Sequence, residues 1–324
     1  MAFIEKIVSF LPEVVGPQEK KLGFKIKLKW TLLILVLFFI LGVIPLAGLG
    51  QNALAQFEQL SIILGASFGS LISLGIGPIV TASIVLQLLA GSGLLKIDQT
   101  TPQGRAFFQS IQKLLIVFFI IFEAAIYVFL GGLSPSFELA ATTFRLMQFG
   151  LVLQLIIGGF LIMYMDQVIT KWGFGSGLSL FIVAGVGQEI VVRAFSPLTS
   201  SGSFALGSGE APVGAVWVFI QSILSGNPSG AAIAFFAILF TVVIFVISVY
   251  VQSMKVQIPL SFGRVRGHGI RWPLNFLYTS NIPVILIVAL LANIQLWARL
   301  LQSFVEGKTS GFLMNFWIAK STNF

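Results

Sequence analysis

The stretch Leu74-Gly-Ile-Gly-Pro-Ile-Val-Thr-Ala-Ser-Ile-Val-Leu-Gln-Leu-Leu-Ala-Gly91 is apolar and long enough to cross much of a bilayer, yet it opens on Gly75, Gly77 and Pro78. A second apolar piece, Phe57 to Ala66, precedes it and is too short to cross. Backbone broken by Gly and Pro at membrane depth is tolerated only beside protein or a water-filled cavity, where freed N–H and C=O groups find partners. Broken helices of this kind mark transport pathways more often than plain anchors.

The composition agrees. Hydrophobic residues make up 57% of the 324 residues, charged residues 9%, and mean hydropathy is +1.00. A soluble domain carries about 25% charge, so the chain reads as an all-α, polytopic membrane protein. There is no Cys and one His, His268. Disulfides, thiolate metal sites, Cys nucleophiles and His-based metal clusters are thereby excluded.

Seven spans are expected, at about Trp30–Leu49, Ser73–Ala90, Leu114–Leu130, Leu146–Met165, Leu178–Phe195, Ala231–Val251 and Ile282–Leu300. Phe3–Leu11 has helical spacing but is short and charged, so it reads as an interfacial helix of a cytosolic segment, residues 1–29. Its apolar run is too short for a signal peptide. With the N-terminus in the cytoplasm, most of the 19 basic residues fall inside, leaving Arg145, Arg193, Arg299, Lys308 and Lys320 outside. That is the positive-inside bias. The outer stretch 196–230 is rich in Ser, Gly and Pro and reads as a linker between a first half, 30–195, and a second, 231–300, followed by a tail at 301–324. The second and seventh spans each open on an early Pro, Pro78 and Pro283, and run in opposite directions. That is an inverted-repeat pattern.

Residues 51–73 are either an external amphipathic helix on lipid or a re-entrant helix filling a cavity mouth; the Gly-rich exit favours the second. Glu123 lies mid-way along the third span and Glu189 late in the fifth. Intramembrane carboxyls line polar pathways or pin helices together, and both readings stand. The loop Lys255–Pro273 holds Arg264, Arg266, His268 and Arg271 among glycines. It serves as a topology signal or as a docking loop for an anionic partner; His268 reads as a surface residue. No phosphate-binding Gly loop and no paired carboxylates appear, so no enzyme activity and no cofactor is expected.

Several dispersed runs make the reading specific: LGIGPIVTASIVLQLLAGSG from Leu74, QKL at Gln112, GFGSGLSLFIVAG from Gly173, IPLSFGRVRG from Ile258 and YTSNIPVILIVALLANIQLW from Tyr278. Together they resemble SecY, the central subunit of the protein-conducting channel, in its archaeal and eukaryotic branch. The resemblance implies ten helices in two inverted, pseudosymmetric halves, of which this chain carries seven, so the second half is incomplete. It implies a pore ring of Ile76, Val80, Leu178, Ile182 and Ile285, and a plug at about 55–66 with Phe57, Leu60, Ile62, Ile63 and Leu64. It implies a lateral gate lined by Thr81, Glu123 and Asn293, and ribosome docking through Arg264, Arg266, His268, Arg271 and Lys171. The implied partners are a SecE-type subunit, a small third subunit, the ribosome, nascent polypeptides with signal sequences, and membrane lipids. The implied location is the cell membrane. The rival reading is an inverted-repeat secondary transporter of a small solute, which would want a polar site at the midplane; the implied midplane residues are Ile, Val and Leu.

Overall fold

Helix follows helix in the computed structural model, which describes residues 13–18, 22–52, 64, 66–95, 97, 100–136, 141–199, 204–205, 211–260, 270–276 and 281–306. In chain order the described elements are α1 (Phe24–Val43), β1 (Gln51–Asn52), α2 (Gly77–Gly91), α3 (Pro102–Phe129), β2 (Leu133–Ser134), α4 (Ala141–Trp172), α5 (Gly177–Phe195), α6 (Ala215–Leu224), α7 (Pro228–Ser253), β3 (Lys255–Leu260), β4 (Ile270–Asn275) and α8 (Asn281–Glu306). A helix stands at each of the seven expected spans. Five of them, α1, α3, α4, α5 and α7, are long and apolar enough to cross a bilayer.

Two helices start where capping chemistry says they should. Pro102 and Pro228 sit in the first turns of α3 and α7, where their missing N–H groups have no intrahelical partner to lose. Thr101 Oγ1 accepts from Gly104 N–H at 3.1 Å, and Asn227 Oδ1 accepts from Gly230 N–H at 3.2 Å. The second span departs from expectation: it becomes helical only at Gly77, after a run of turns through residues 71–76. Gly75 sits at φ +55°, and a Cβ there would lie 2.3 Å from the Leu64 carbonyl oxygen. The chain therefore cannot continue a helix through Gly75.

Two compact units make up the chain, Met1–Val186 with Ile285–Phe324, and Gly187–Val284. In the first, α1 buries Thr31, Ile34, Phe38 and Leu41, a stripe at three- and four-residue spacing. Phe38 stacks on Phe181 with ring centroids 4.9 Å apart. The other faces of α1 keep Leu32, Val36 and Ile40 exposed, as lipid requires. The core joins α1 to α2, α3, α4, the start of α5 and α8 around Ile72, Val80, Ile120, Leu155, Ile162 and Leu296. In the second unit α6 is an element the sequence reading did not foresee; it lies inside the expected linker. Across the Arg- and Gly-rich loop expected at Lys255–Pro273, β3 and β4 pair antiparallel, with Lys255 opposite Asn275 and Leu260 opposite Ile270. The interfacial segment Phe3–Leu11 and the tail beyond residue 306 lie outside the described residues.

Candidate functional site

The site is organised around α2. Residues Gly77 to Ile84 are buried without interruption, and Leu86 with them. A helix apolar and buried all round its first two turns is enclosed by protein instead of facing lipid. Its first turn is held by the segment before it. Ser67 Oγ donates to the Gly42 carbonyl at 3.1 Å, and Leu71 N–H donates to Ile44 O at 3.0 Å, so the approach to α2 is fastened to the end of α1. Ser70 Oγ donates to Ser67 O at 2.7 Å, and Gly69 N–H donates to Ser73 Oγ at 2.9 Å. Ile76 N–H then donates to the carbonyl of Leu64 at 2.8 Å. Leu64 itself is fully buried. Of the five named plug residues it alone is described; Phe57, Leu60, Ile62 and Ile63 lie outside the described residues.

Ile76 and Val80, one turn apart, are both completely buried. Leu178 and Ile182 have the same spacing on α5, are half-buried, and pack on the same apolar cluster. Ile285 falls in α8, with its side chain outside those described. Every side chain in this set is branched and apolar, and none offers a hydrogen bond to a passing chain.

Thr81 from α2, Glu123 from α3 and Asn293 from α8 come together, each almost or fully buried. Asn293 Nδ2 donates to Thr81 Oγ1 at 2.8 Å and to Glu123 Oε1 at 3.3 Å, and Thr81 Oγ1 donates to the same carboxyl oxygen at 3.4 Å. Three helices are thereby tied by one polar knot at the depth of an apolar core. Two features of it escaped the sequence reading. Gly77 makes room for it: a Cβ there would lie 3.0 Å from Asn293 Nδ2, 3.0 Å from Glu123 Oε2 and 3.2 Å from Asn293 Oδ1. The seam also continues beyond the knot. Gln112 Nε2 donates to Ser83 Oγ at 2.8 Å, and Tyr127 and Trp297 stand one turn beyond Glu123 and Asn293 on their helices. The only signal in the sequence was the four-residue spacing of those polar groups. Phe122 meets Trp297 edge to face at 5.5 Å, closing α3 on α8.

The expected docking residues divide. Arg271 is exposed on β4 and donates through Nη1 to Gln257 Oε1 across the hairpin at 3.1 Å. Arg264, Arg266 and His268 lie outside the described residues. Lys171 is elsewhere engaged. Its ammonium contacts Glu13 Oε1 at 2.7 Å and donates to the Val14 carbonyl, while Lys113 meets Glu13 Oε2 at 2.6 Å. Gln167 Oε1 accepts from Val14 N–H at 3.3 Å and Trp172 Nε1 donates to Val15 O at 2.9 Å. Residues 13–15 thus form a strap from Lys113 in α3 to the C-terminal end of α4. Lys113 first, and Lys171 with it, hold the Glu13 carboxyl below the usual carboxylate range. Glu189 pairs with Arg193 one turn on along α5.

The SecY family profile matches residues 70–321, and that of the plug domain of Sec61p matches residues 36–69, a range that brackets the expected plug. The chain belongs to the SecY family. Protein translocase subunit SecY of Methanothermobacter thermautotrophicus is 45% identical over 302 residues, 92% of this chain and 63% of that protein. A solved structure of a protein conducting channel superposes with a TM-score of 0.74 at 38% identity, over 95% of this SecY-family chain and 65% of that one. Sec61 in the canine ribosome–channel complex from the endoplasmic reticulum gives 0.72 at 38% identity, over 95% and 66%. The chain spans under two thirds of the length of these SecY and Sec61 relatives.

Proposed function

We propose that this chain forms most of the pore subunit of a protein-conducting channel. The channel passes unfolded secretory polypeptides across the membrane and releases apolar helices sideways into it. It performs no covalent chemistry. The observation that carries the reading is the joining, over Ile76–Thr81 at the start of α2, of three things a two-way channel needs. Ile76 and Val80 are branched apolar side chains suited to a dewetted constriction. The Ile76 N–H is bonded to Leu64, at the expected exit of the plug. Thr81 is knotted to Glu123 and Asn293 along a seam with α3 and α8. A small-solute transporter fits less well, because such a protein would want a polar site at the midplane, and the midplane side chains Ile76, Val80, Leu178 and Ile182 are apolar.

The two inverted halves, 30–195 and 231–300, the cell membrane and an N-terminus in the cytoplasm belong to the same reading. So do a SecE-type subunit, a small third subunit and docking of the ribosome through Arg264, Arg266, His268, Arg271 and Lys171. The full set Ile76, Val80, Leu178, Ile182 and Ile285 is the proposed ring. The test is a photocrosslinker placed at Val80 in the complete channel complex, loaded with a ribosome-stalled secretory chain. Capture of the nascent chain at Val80, and not at lipid-facing Val36, is expected. Equal capture at both, or none at Val80 while the stalled complex is bound, would overturn it.

A further inference from the structure

The knot of Thr81, Glu123 and Asn293 is only the inner turn of a longer seam. Tyr127 lies four residues beyond Glu123 on α3, and Trp297 four beyond Asn293 on α8. Residues at that spacing stack along one helix face, so the two pairs run side by side. Tyr127 is completely buried, and its hydroxyl has no hydrogen-bond partner among the described residues; the buried indole N–H of Trp297 has none either. In the inner turn Glu123 Oε2 and Asn293 Oδ1 are likewise without one. Around them stand Phe122, Phe68 and Ala124, which offer rings and methyls. A well-packed, apolar seam could close with Phe at both outer positions and leave no donor stranded. This one closes over a hydroxyl and an N–H that water or a peptide carbonyl would satisfy.

A buried donor without a partner raises the energy of the state that buries it. Parting α8 from α3 admits water, or the backbone of an entering segment, and relieves both groups at once. The inner knot makes hydrogen bonds in the closed seam, yet it too leaves Glu123 Oε2 and Asn293 Oδ1 unmatched there. We propose that Tyr127 and Trp297 set the gate's threshold together with the knot: two donors unpaired in the closed seam that gain partners only as it parts. This rests on the gate reading above. It adds two residues to the specificity machinery.

The test is Tyr127→Phe in the complete channel complex reconstituted in proteoliposomes, with signal sequences graded in hydrophobicity. The variant keeps the ring and removes only the hydroxyl. Relief of one stranded donor is worth roughly a factor of ten in a two-state equilibrium. Translocation of a marginal signal is therefore expected to fall several-fold, and the threshold to move toward more hydrophobic signals. Trp297→Phe, which keeps a ring against Phe122, is expected to shift it the same way. Tyr127→Leu, which also loses packing, should shift it less or reverse it. An unchanged or lowered threshold in Tyr127→Phe overturns the proposal. A thermal melt of the same purified variant reads the seam without transport. A raised midpoint is expected, and a lowered one means the hydroxyl is bonded in the closed state and sinks the idea. Loss of all translocation in the unmodified complex would count against the channel reading alone, and the melt would still decide this one.

Discussion

At the scale of single residues, the proposed gate seam turns on Gly77. It is the one position in the first turns of α2 where a side chain would enter the polar knot, meeting three polar atoms at 3.0–3.2 Å. Gly77→Ala is expected to push Asn293 and Glu123 off Thr81 and to weaken the closed seam by about 1–3 kcal/mol, the usual scale for overpacking. The measurement is the signal threshold in proteoliposomes, which should fall; a threshold that holds would mean the knot shifts without loss. Replacing the whole knot, with Thr81→Val, Glu123→Leu and Asn293→Leu together, is expected to do the reverse. Apolar isosteres in place of a buried polar network are often neutral or stabilising, so this variant should demand a more hydrophobic signal. Thr81, Glu123 and Asn293 were legible in the sequence because polar groups in apolar spans stand out one by one. Gly77 was read as a helix breaker. Its second role, clearance toward α3 and α8, depends on distances across three helices that no local pattern encodes.

At the scale of elements, the strap at residues 13–15 and the helix α6 are the parts the sequence hid. Glu13 meets Lys171 across 158 positions of chain, and nothing near either residue announces the other. α6 is ten residues of apolar helix set in a Ser- and Gly-rich stretch, too short for a span, so composition alone assigned it to linker. Strand pairing at Lys255–Asn275 was also beyond reach, since glycines and arginines at the loop's centre dominate its composition. The strap carries a prediction of its own. Glu13→Gln leaves the shape and removes the charge, and amine-reactive labelling of Lys171 is expected to quicken by up to about fivefold, in keeping with partly exposed ion pairs. Labelling at the wild-type rate would mean that Val14 alone holds the lysine. The pH dependence has a fixed sign. The Glu13 carboxyl is lowered from its ordinary 4.5, so its contribution is fully present above that value and is lost as pH falls through the lower, folded one. Wild type and Glu13→Gln should therefore differ in thermal midpoint by a constant amount above the ordinary carboxylate range and converge as the pH falls through the lowered one.

At the scale of the whole molecule, the class and the order of spans were legible because hydropathy and basic charge act over tens of residues, as lipid does. The joining of α8 to the first unit was not, because it rests on burial of Ala289, Ala292, Asn293 and Leu296 against distant helices. Two predictions belong here. Ile76→Gly with Val80→Gly in the complete channel should raise resting ion conductance in planar bilayers severalfold, by removing two members of the proposed dewetted ring; an unaltered conductance takes the pair out of the constriction. Arg264→Glu, Arg266→Glu and Arg271→Glu together should abolish ribosome binding and flatten its salt dependence, since each phosphate contact releases counterions. Wild-type affinity with a wild-type salt slope would reduce the three to topology signals. The fastening of Ile76 to Leu64 has a mechanical corollary. A helix turns as a rigid rod, at about 100° per residue. Within six residues, from the N-cap Ile76 to Thr81, this rod carries the tether to Leu64, two members of the proposed ring, and the Gly77–Thr81 edge of the proposed gate. In the proposed channel, swinging Thr81 out of its pocket swings Ile76 and Val80 with it and tugs on Leu64 in the same stroke. Sideways and transverse opening would then share one axle, and a helix leaving for the lipid would itself have to serve as the stopper for the hole it has made.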